Sequence, residues 1–206
     1  PERIPFGNND HADSPASPDH ARMDGFYVSD GWADYEKNNR FFISGQDGKP
    51  KEQQKKLVQS ICERLGIPTT WQRKHITVRD RAWTSRMQRM GRYAPEKHIL
   101  TLNLDEACAA ETLRGLEADS GVNTRGDGRT FTTTSYKLFT QMRVLYRMFG
   151  KTCSSWHIVN HGGLGKNPIW RLATRTSKRP GDAHEKFLRV KSIERKVWRA
   201  QCWDIT

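Results

Sequence analysis

The chain has no long hydrophobic run, because no apolar stretch approaches the roughly 18 residues that a membrane-spanning helix needs. Only 35% of its 206 residues are apolar, and no signal peptide is visible. The four cysteines are widely separated and form no Cys-x-x-Cys pair. These absences argue against a membrane protein and a disulfide scaffold, so we expect an intracellular protein with reduced thiols and no membrane partner.

Positive charge is abundant and unevenly distributed. The formal net charge is +12, yet residues 1–50 carry a net charge of −4. Residues 71–100 carry a net charge of +6, and residues 151–206 carry +8. A basic excess of this size is typical of proteins that bind a polyanion, because phosphate contacts release condensed counterions. The charge distribution therefore predicts a nucleic acid, DNA or RNA, as partner.

The amino-terminal segment differs in composition from the rest. Its first 23 residues contain Pro1, Pro5, Pro15 and Pro18 among Asn, Asp, Ser and His residues. This composition predicts an extended acidic arm over residues 1–24, suited to contact a neighbouring protein. A basic nucleic-acid-binding domain is expected over residues 25–206.

Hydrophobic periodicity predicts an α+β fold for that domain, with about four helices and several short strands. No internal repeat is visible in the sequence. Apolar residues at helical spacing, with start and stop signals, predict four helices, at 51–65, 104–116, 134–149 and 182–199. Short runs of β-formers, mostly alternating, predict three strands, at 41–44, 75–78 and 99–102.

Two basic regions are the expected nucleic-acid surfaces. The first interleaves arginines with Trp71, Trp83 and Tyr93, and this mixture favours RNA or single strands slightly over duplex DNA. The second covers residues 166–199 and includes the predicted last helix. The predicted contact residues are Arg73, Lys74, Arg79, Arg81, Arg86, Arg89, Arg92, Lys166, Arg171, Arg175, Lys178, Arg179, Arg189 and Arg195.

Residues 156–186 carry a local pattern of possible chemistry. His157 ends a strand-like run, and a second such run, 170–177, follows a Gly-rich loop. The segment resembles the HNH or His-Me finger endonucleases, although Trp156 stands where that family has an acidic residue. The resemblance implies that His157 is the general base, that His161 and His184 lie on the metal side of the catalytic site, and that Mg²⁺ or Mn²⁺ is the cofactor.

The same segment allows a less favoured alternative, a zinc site. Cys153, His157 and His161 follow a Cys-x3-His-x3-His spacing, with His184 or Cys202 as the fourth ligand. Three functional classes therefore stay open at this stage. They are a metal-dependent nuclease, a non-catalytic packaging or ribonucleoprotein component such as a capsid- or ribosome-associated protein, and a sequence-specific DNA-binding replication or regulatory factor. Whether the chain is an enzyme is not decided by these patterns.

Overall fold

The computed structural model describes residues 3–34, 39–49, 51–118, 121–122, 129–158 and 168–174. Within these residues the chain forms five α-helices and eight strands, which confirms the predicted α+β class. The helices are α1 (Pro18–Asp30), α2 (Glu52–Arg64), α3 (Arg81–Arg89), α4 (Glu106–Glu117) and α5 (Tyr136–Met148). The strands are β1 (Gly31–Ala33), β2 (Arg40–Ser44), β3 (Thr69–Trp71), β4 (His75–Arg79), β5 (Gly121–Val122), β6 (Arg129–Thr133), β7 (Cys153–Ile158) and β8 (Ile169–Thr174).

The fold contains a structural repeat that the sequence does not reveal. Each half runs helix, two strands, helix, two strands, and each forms a four-stranded antiparallel sheet. The first sheet has the order β1-β2-β4-β3, and the second has the equivalent order β5-β6-β8-β7. The repeat escapes sequence inspection because a fold constrains which positions are apolar far more than which residue occupies each one.

The two halves meet where α1 packs against α4. Gly25 and Gly115 let the two helix backbones touch. A Cβ on Gly25 would lie 2.4 Å from the carbonyl oxygen of Thr112, and one on Gly115 would lie 2.5 Å from that of Arg22. These reciprocal contacts place an approximate twofold axis between the helices.

Helix α1 begins inside the segment that the sequence analysis assigns to an extended arm. Ser17 caps the helix by accepting a hydrogen bond from the His20 amide, and Pro18 occupies the first turn. Proline suits that position because its fixed φ is helical and its missing amide hydrogen would have no helical partner. A proline read as a marker of extended chain is therefore a helix-start residue.

The residues before α1 also pack on the chain itself. The Gly7 amide donates to the carbonyl oxygen of Leu104 at 2.8 Å, and the Phe6 ring lies 5.1 Å from that of Phe149. The Ser14 hydroxyl donates to the carbonyl oxygen of Asn103 at 3.0 Å. The segment thus covers its own domain, and its predicted contact with another protein stays a prediction.

Six predicted elements have clear outcomes within the described residues. Helices α2, α4 and α5 and strands β2 and β4 lie where hydrophobic periodicity places them. The predicted strand over 99–102 is wrong, because the Gln141 side chain bonds both the amide and the carbonyl group of Ile99, at 2.9 and 2.7 Å. The predicted helix over 182–199 lies outside the described residues. None of the helices described is long and apolar enough to cross a membrane.

Candidate nucleic-acid interface

The first sheet buries one face against the helices and leaves the other outward. Phe41, Ile43, Ile76 and Val78 are completely buried on the helix side. Because side chains alternate along a strand, the residues between them point away from the helices. Strand register places three further pairs on the outward face, namely Trp32 beside Phe42, Arg40 beside Arg79 and Ser44 beside His75.

An aromatic cluster occupies the middle of this outward face. The Trp32 and Phe42 rings stack with centroids 5.0 Å apart and an interplanar angle of 12°. The His75 ring meets both edge-on, at 5.3 and 5.2 Å, and the Arg40 guanidinium lies 5.4 Å from the Phe42 centroid. Partial burial, and secondarily the charge of Lys55, lower the pKa of His75.

The second sheet repeats this division into two faces. Phe131 and Leu172 are buried as cross-strand neighbours on the helix side. The outward face of this sheet consequently carries Thr132 beside Arg171, and Thr130 beside Ala173 and Ser154. It presents hydroxyl groups and an arginine, in contrast to the aromatic first sheet.

Asp30 marks the end of α1, where the helix meets the sheet. Its carboxylate accepts a hydrogen bond from the Lys51 ammonium at 2.6 Å, and its side chain is 15% exposed. Gly31 follows it and opens β1, just as Gly121 opens β5 in the second half. By that correspondence Ser120 is the sequence equivalent of Asp30, and Asp119 precedes it.

Five predicted contact residues are exposed or half-buried on the two sheets or next to them. Arg73 and Lys74 are exposed in the turn between β3 and β4, and Arg79 is exposed at the end of β4. Arg171 lies half-buried on the outward face of the second sheet. Arg81 is exposed at the start of α3.

The other predicted arginines of the first basic region bond to the protein itself. Arg86 donates to the buried Asp24 carboxylate at 2.6 Å and to the carbonyl oxygen of Asp13 at 2.9 Å. Arg86 therefore holds parts of its own chain together, and its predicted contact with nucleic acid stays a prediction. Arg89 pairs with the Asp13 carboxylate, and the Arg92 guanidinium lies over the Tyr93 ring.

Two of the three tryptophan and tyrosine residues predicted to stack on bases remain exposed. Trp71 and Tyr93 are 38% and 58% exposed. The Trp83 ring instead packs parallel to that of Phe41 at 6.2 Å and edge-on to that of His20 at 4.6 Å. Trp83 therefore belongs to the core of the first half.

The predicted catalytic histidines are not tested by the structure. His157 pairs with Trp170 in the β7–β8 ladder, but only its backbone is described. The other predicted residues outside the described ranges are His161, His184, Lys166, Arg175, Lys178, Arg179, Arg189 and Arg195. Within the described part of the chain no three His, Cys, Asp or Glu residues form a metal-binding group.

Trp32, Arg40, Phe42 and His75 are candidate interface residues that the charge pattern of the sequence does not identify. A usable signal existed in the alternation of Arg40-Phe41-Phe42-Ile43-Ser44, which assigns Arg40 and Phe42 to the same face. The net negative charge of residues 1–50 masks the basic residue of this strand in a charge count.

No family model and no curated protein matches this sequence. Solved structures do match. A structure of mesophilic variants from the homing endonuclease I-DmoI shares 12% identity with a TM-score of 0.54, covering 77% of this chain and 89% of that one. The N-terminal LAGLIDADG domain of DUF199/WhiA shares 14% identity with a TM-score of 0.50, covering 82% and 78%. The chain has the fold of these LAGLIDADG proteins.

A third match is I-DmoI in complex with DNA and Ca, at 12% identity and a TM-score of 0.54, covering 79% of this chain and 85% of that one. These matches overturn the resemblance to HNH or His-Me finger nucleases. Strand β8 pairs with β6 on one side and β7 on the other. Strands β7 and β8 are thus part of a four-stranded sheet rather than a separate two-stranded finger, which is why the local pattern misled.

Proposed function

We propose that this chain binds duplex DNA with the outward faces of its two antiparallel sheets. The observation that carries the proposal is the set of basic side chains that face away from the helices. Arg40, Arg79 and Arg171 lie on the sheets themselves, and Arg73 and Lys74 lie in the β3–β4 turn. Arginine and lysine at such positions neutralise phosphates and fix the protein on the duplex.

The shape of the sheets supports duplex DNA over single strands. The major groove is about 12 Å wide and admits a two-stranded β-ribbon, so a twisted antiparallel sheet can follow it. The Trp32 and Phe42 rings stack on each other, which leaves less ring surface for unpaired bases. Their edges suit apolar contact with thymine methyl groups or sugars. The I-DmoI structure bound to DNA provides a precedent for this fold.

The first test replaces Arg79 and Arg171 together by alanine. We expect weaker binding to duplex DNA and a plot of log affinity against log salt that is less steep by about two, since each phosphate contact contributes about 0.9 to the slope. Fluorescence anisotropy of a labelled duplex at several salt concentrations measures both quantities.

The matched control replaces Arg64 and Arg114 by alanine. These arginines are exposed on helices α2 and α4 and pair with Asp19 and Glu111. The control removes the same charge from the helix layer, so its salt slope should stay close to that of the parent chain. Equal losses in both double variants would show that net charge, and not the sheet faces, governs binding.

We infer a second function, metal-dependent DNA cleavage, from the position of Asp30. Its carboxylate lies at the junction of α1 with the first sheet, where the Gly25–Gly115 helix pair ends. Mg²⁺ and Mn²⁺ favour carboxylate oxygen and are often held by one or two carboxylates plus substrate phosphates. Such an ion would stabilise the charge that develops on the phosphate during cleavage.

The donor set around Asp30 fits such an ion only partly. Asp30 supplies a hard oxygen ligand, but the Lys51 ammonium at 2.6 Å disfavours a cation there. The sequence position equivalent to Asp30 in the second half is Ser120, which is not a carboxylate. We therefore expect slow nicking of one strand in preference to rapid cleavage of both.

The cleavage test replaces Asp30 by asparagine, with Asp19→Asn at the opposite end of α1 as the control. Supercoiled plasmid carrying a duplex selected for binding is incubated with Mg²⁺ or Mn²⁺, and nicked product is followed with time. Asp30→Asn should abolish nicking and retain DNA affinity, while Asp19→Asn should nick at the parent rate. Metal-dependent nicking that survives Asp30→Asn would refute the assignment.

A further inference from the structure

A cavity of about 330 Å³ lies between the carboxyl end of α1, the segment from Arg92 to Lys97, and strands β6 and β8. Its floor and rim differ in exposure. Arg92, Ala94 and Thr132 are exposed at the rim, whereas Lys97 is 6% exposed. The cavity is therefore open to solvent and ends on a buried cationic side chain.

Lys97 lacks a hydrogen-bond partner among the described residues. Its ammonium nitrogen is inaccessible to solvent and makes no hydrogen bond, although it lies 3.4 Å from the centroid of the Tyr27 ring. Burying an ammonium without a hydrogen-bonding partner is costly. Desolvation accordingly lowers the pKa of Lys97 to about 7, against the opposing influence of Glu96. Lys97 lines the cavity, so an anion bound there would supply the missing partner once the ammonium turned from the Tyr27 ring towards it.

A second polar group in the cavity is also without a partner. The Thr134 hydroxyl oxygen is buried and makes no hydrogen bond. Two further hydroxyl groups, of Ser29 and Thr133, line the same space. An orphan ammonium and an orphan hydroxyl in one cavity point to a ligand that accepts hydrogen bonds.

The charge and size of the cavity define that ligand further. Its described lining includes two cationic residues and no Asp or Glu. Val28, Ala94 and Ile169 add an apolar portion to the wall. Small-molecule sites begin at about 300 Å³, which suits a mononucleotide better than a bare ion. Phosphate is the acceptor that such a mixture of lysine and hydroxyl groups recognises best.

We propose that this cavity binds the phosphate of a nucleotide-sized phosphomonoester, with Lys97 and Thr134 as hydrogen-bond donors. The phosphate can come from a free mononucleotide or from the 5′-phosphorylated end of a DNA strand. The cavity borders the proposed sheet interface at Thr132, but none of the arginines on the outward faces lines it. The phosphate proposal is tested with variants of Lys97 and Thr134, and the DNA interface with variants of Arg79 and Arg171. The failure of one proposal can therefore be distinguished from the failure of the other.

The test uses the full chain and measures binding of dTMP and of inorganic phosphate by calorimetry at pH 6, where Lys97 is protonated. We expect dTMP to bind more tightly than inorganic phosphate. Lys97→Met should weaken dTMP binding by roughly tenfold or more, as expected for a lost charge-assisted hydrogen bond. Lys56→Met, at an exposed position on α2, is the control and should leave dTMP binding unchanged.

A second experiment distinguishes a free mononucleotide from the 5′-phosphorylated end of a DNA strand as the ligand. The affinity of a short duplex is compared with and without a 5′-phosphate, for the parent chain and for Lys97→Met. One outcome is that the 5′-phosphate raises the affinity of the parent chain for the duplex, that Lys97→Met abolishes this increase and that dTMP does not bind. That combination of results would assign the site to DNA ends. Thr134→Val provides an independent variant, because it removes the second donor and leaves Lys97 in place. If neither variant weakens binding of any of these phosphates, the proposal is wrong.

Discussion

Replacing Asp24 by alanine is expected to lower the free energy of unfolding by about 3–5 kcal/mol, the usual cost of breaking a buried ion pair from one side. Asp24 is 3% exposed within α1, and its carboxylate accepts hydrogen bonds from Arg86 Nε at 2.9 Å and from a terminal guanidinium nitrogen at 2.6 Å. Its removal leaves the guanidinium charge partly buried and uncompensated.

Urea unfolding followed by circular dichroism measures this change. Asp13→Ala is the matched control, because Asp13 pairs with Arg89 nearer the surface. The control should have a much smaller effect, since exposed ion pairs contribute little. Similar losses in the two variants would contradict a structural role for the Asp24–Arg86 pair.

Replacing Gly25 by alanine is expected to destabilise the chain by about 2–3 kcal/mol, near the upper end of the usual cost of overpacking. The added methyl group would lie 2.4 Å from the Thr112 carbonyl oxygen, so the two helix backbones must separate. This cost exceeds the roughly 1 kcal/mol that alanine gains over glycine in a helix.

The double variant Gly25→Ala, Gly115→Ala tests whether the helices meet at this point. The two glycines face each other, so once one methyl group has separated the helices the second costs less. The double variant should therefore lose less stability than the sum of the single variants. Strict additivity in urea unfolding would contradict direct contact. Arg114→Ala, at an exposed neighbour in α4, should have little effect.

The sequence predicts those parts of the fold whose signal is local. Helix α5 is an example, because Leu138, Met142 and Leu145 recur at helical spacing and become its buried face. Helix α1 is a counterexample, because it is buried on nearly every side and contains Asp24 and Gly25 among its buried residues. Only the partners Arg86 and Gly115, far along the chain, explain those two residues.

The candidate site could be predicted only in part for the same reason. Clustered charge identifies Arg73, Lys74 and Arg79, which the structure leaves exposed at the two ends of β4. Charge alone does not separate these from Arg86, whose partner lies 62 residues earlier. Arg40 and Phe42 join the interface through strand pairing, which a local charge count does not detect.

The position of Phe42 allows the most direct test of DNA binding by the sheet faces. A photoreactive benzoylphenylalanine at Phe42 is irradiated with labelled duplex DNA, and the same residue at Tyr136 is the control. Tyr136 is 61% exposed on α5, on the helix side of the second sheet, where its ring packs against Trp170. Cross-linking at position 42 and none at position 136 is the predicted result. Cross-linking at position 136 alone would contradict DNA binding by the outward sheet faces.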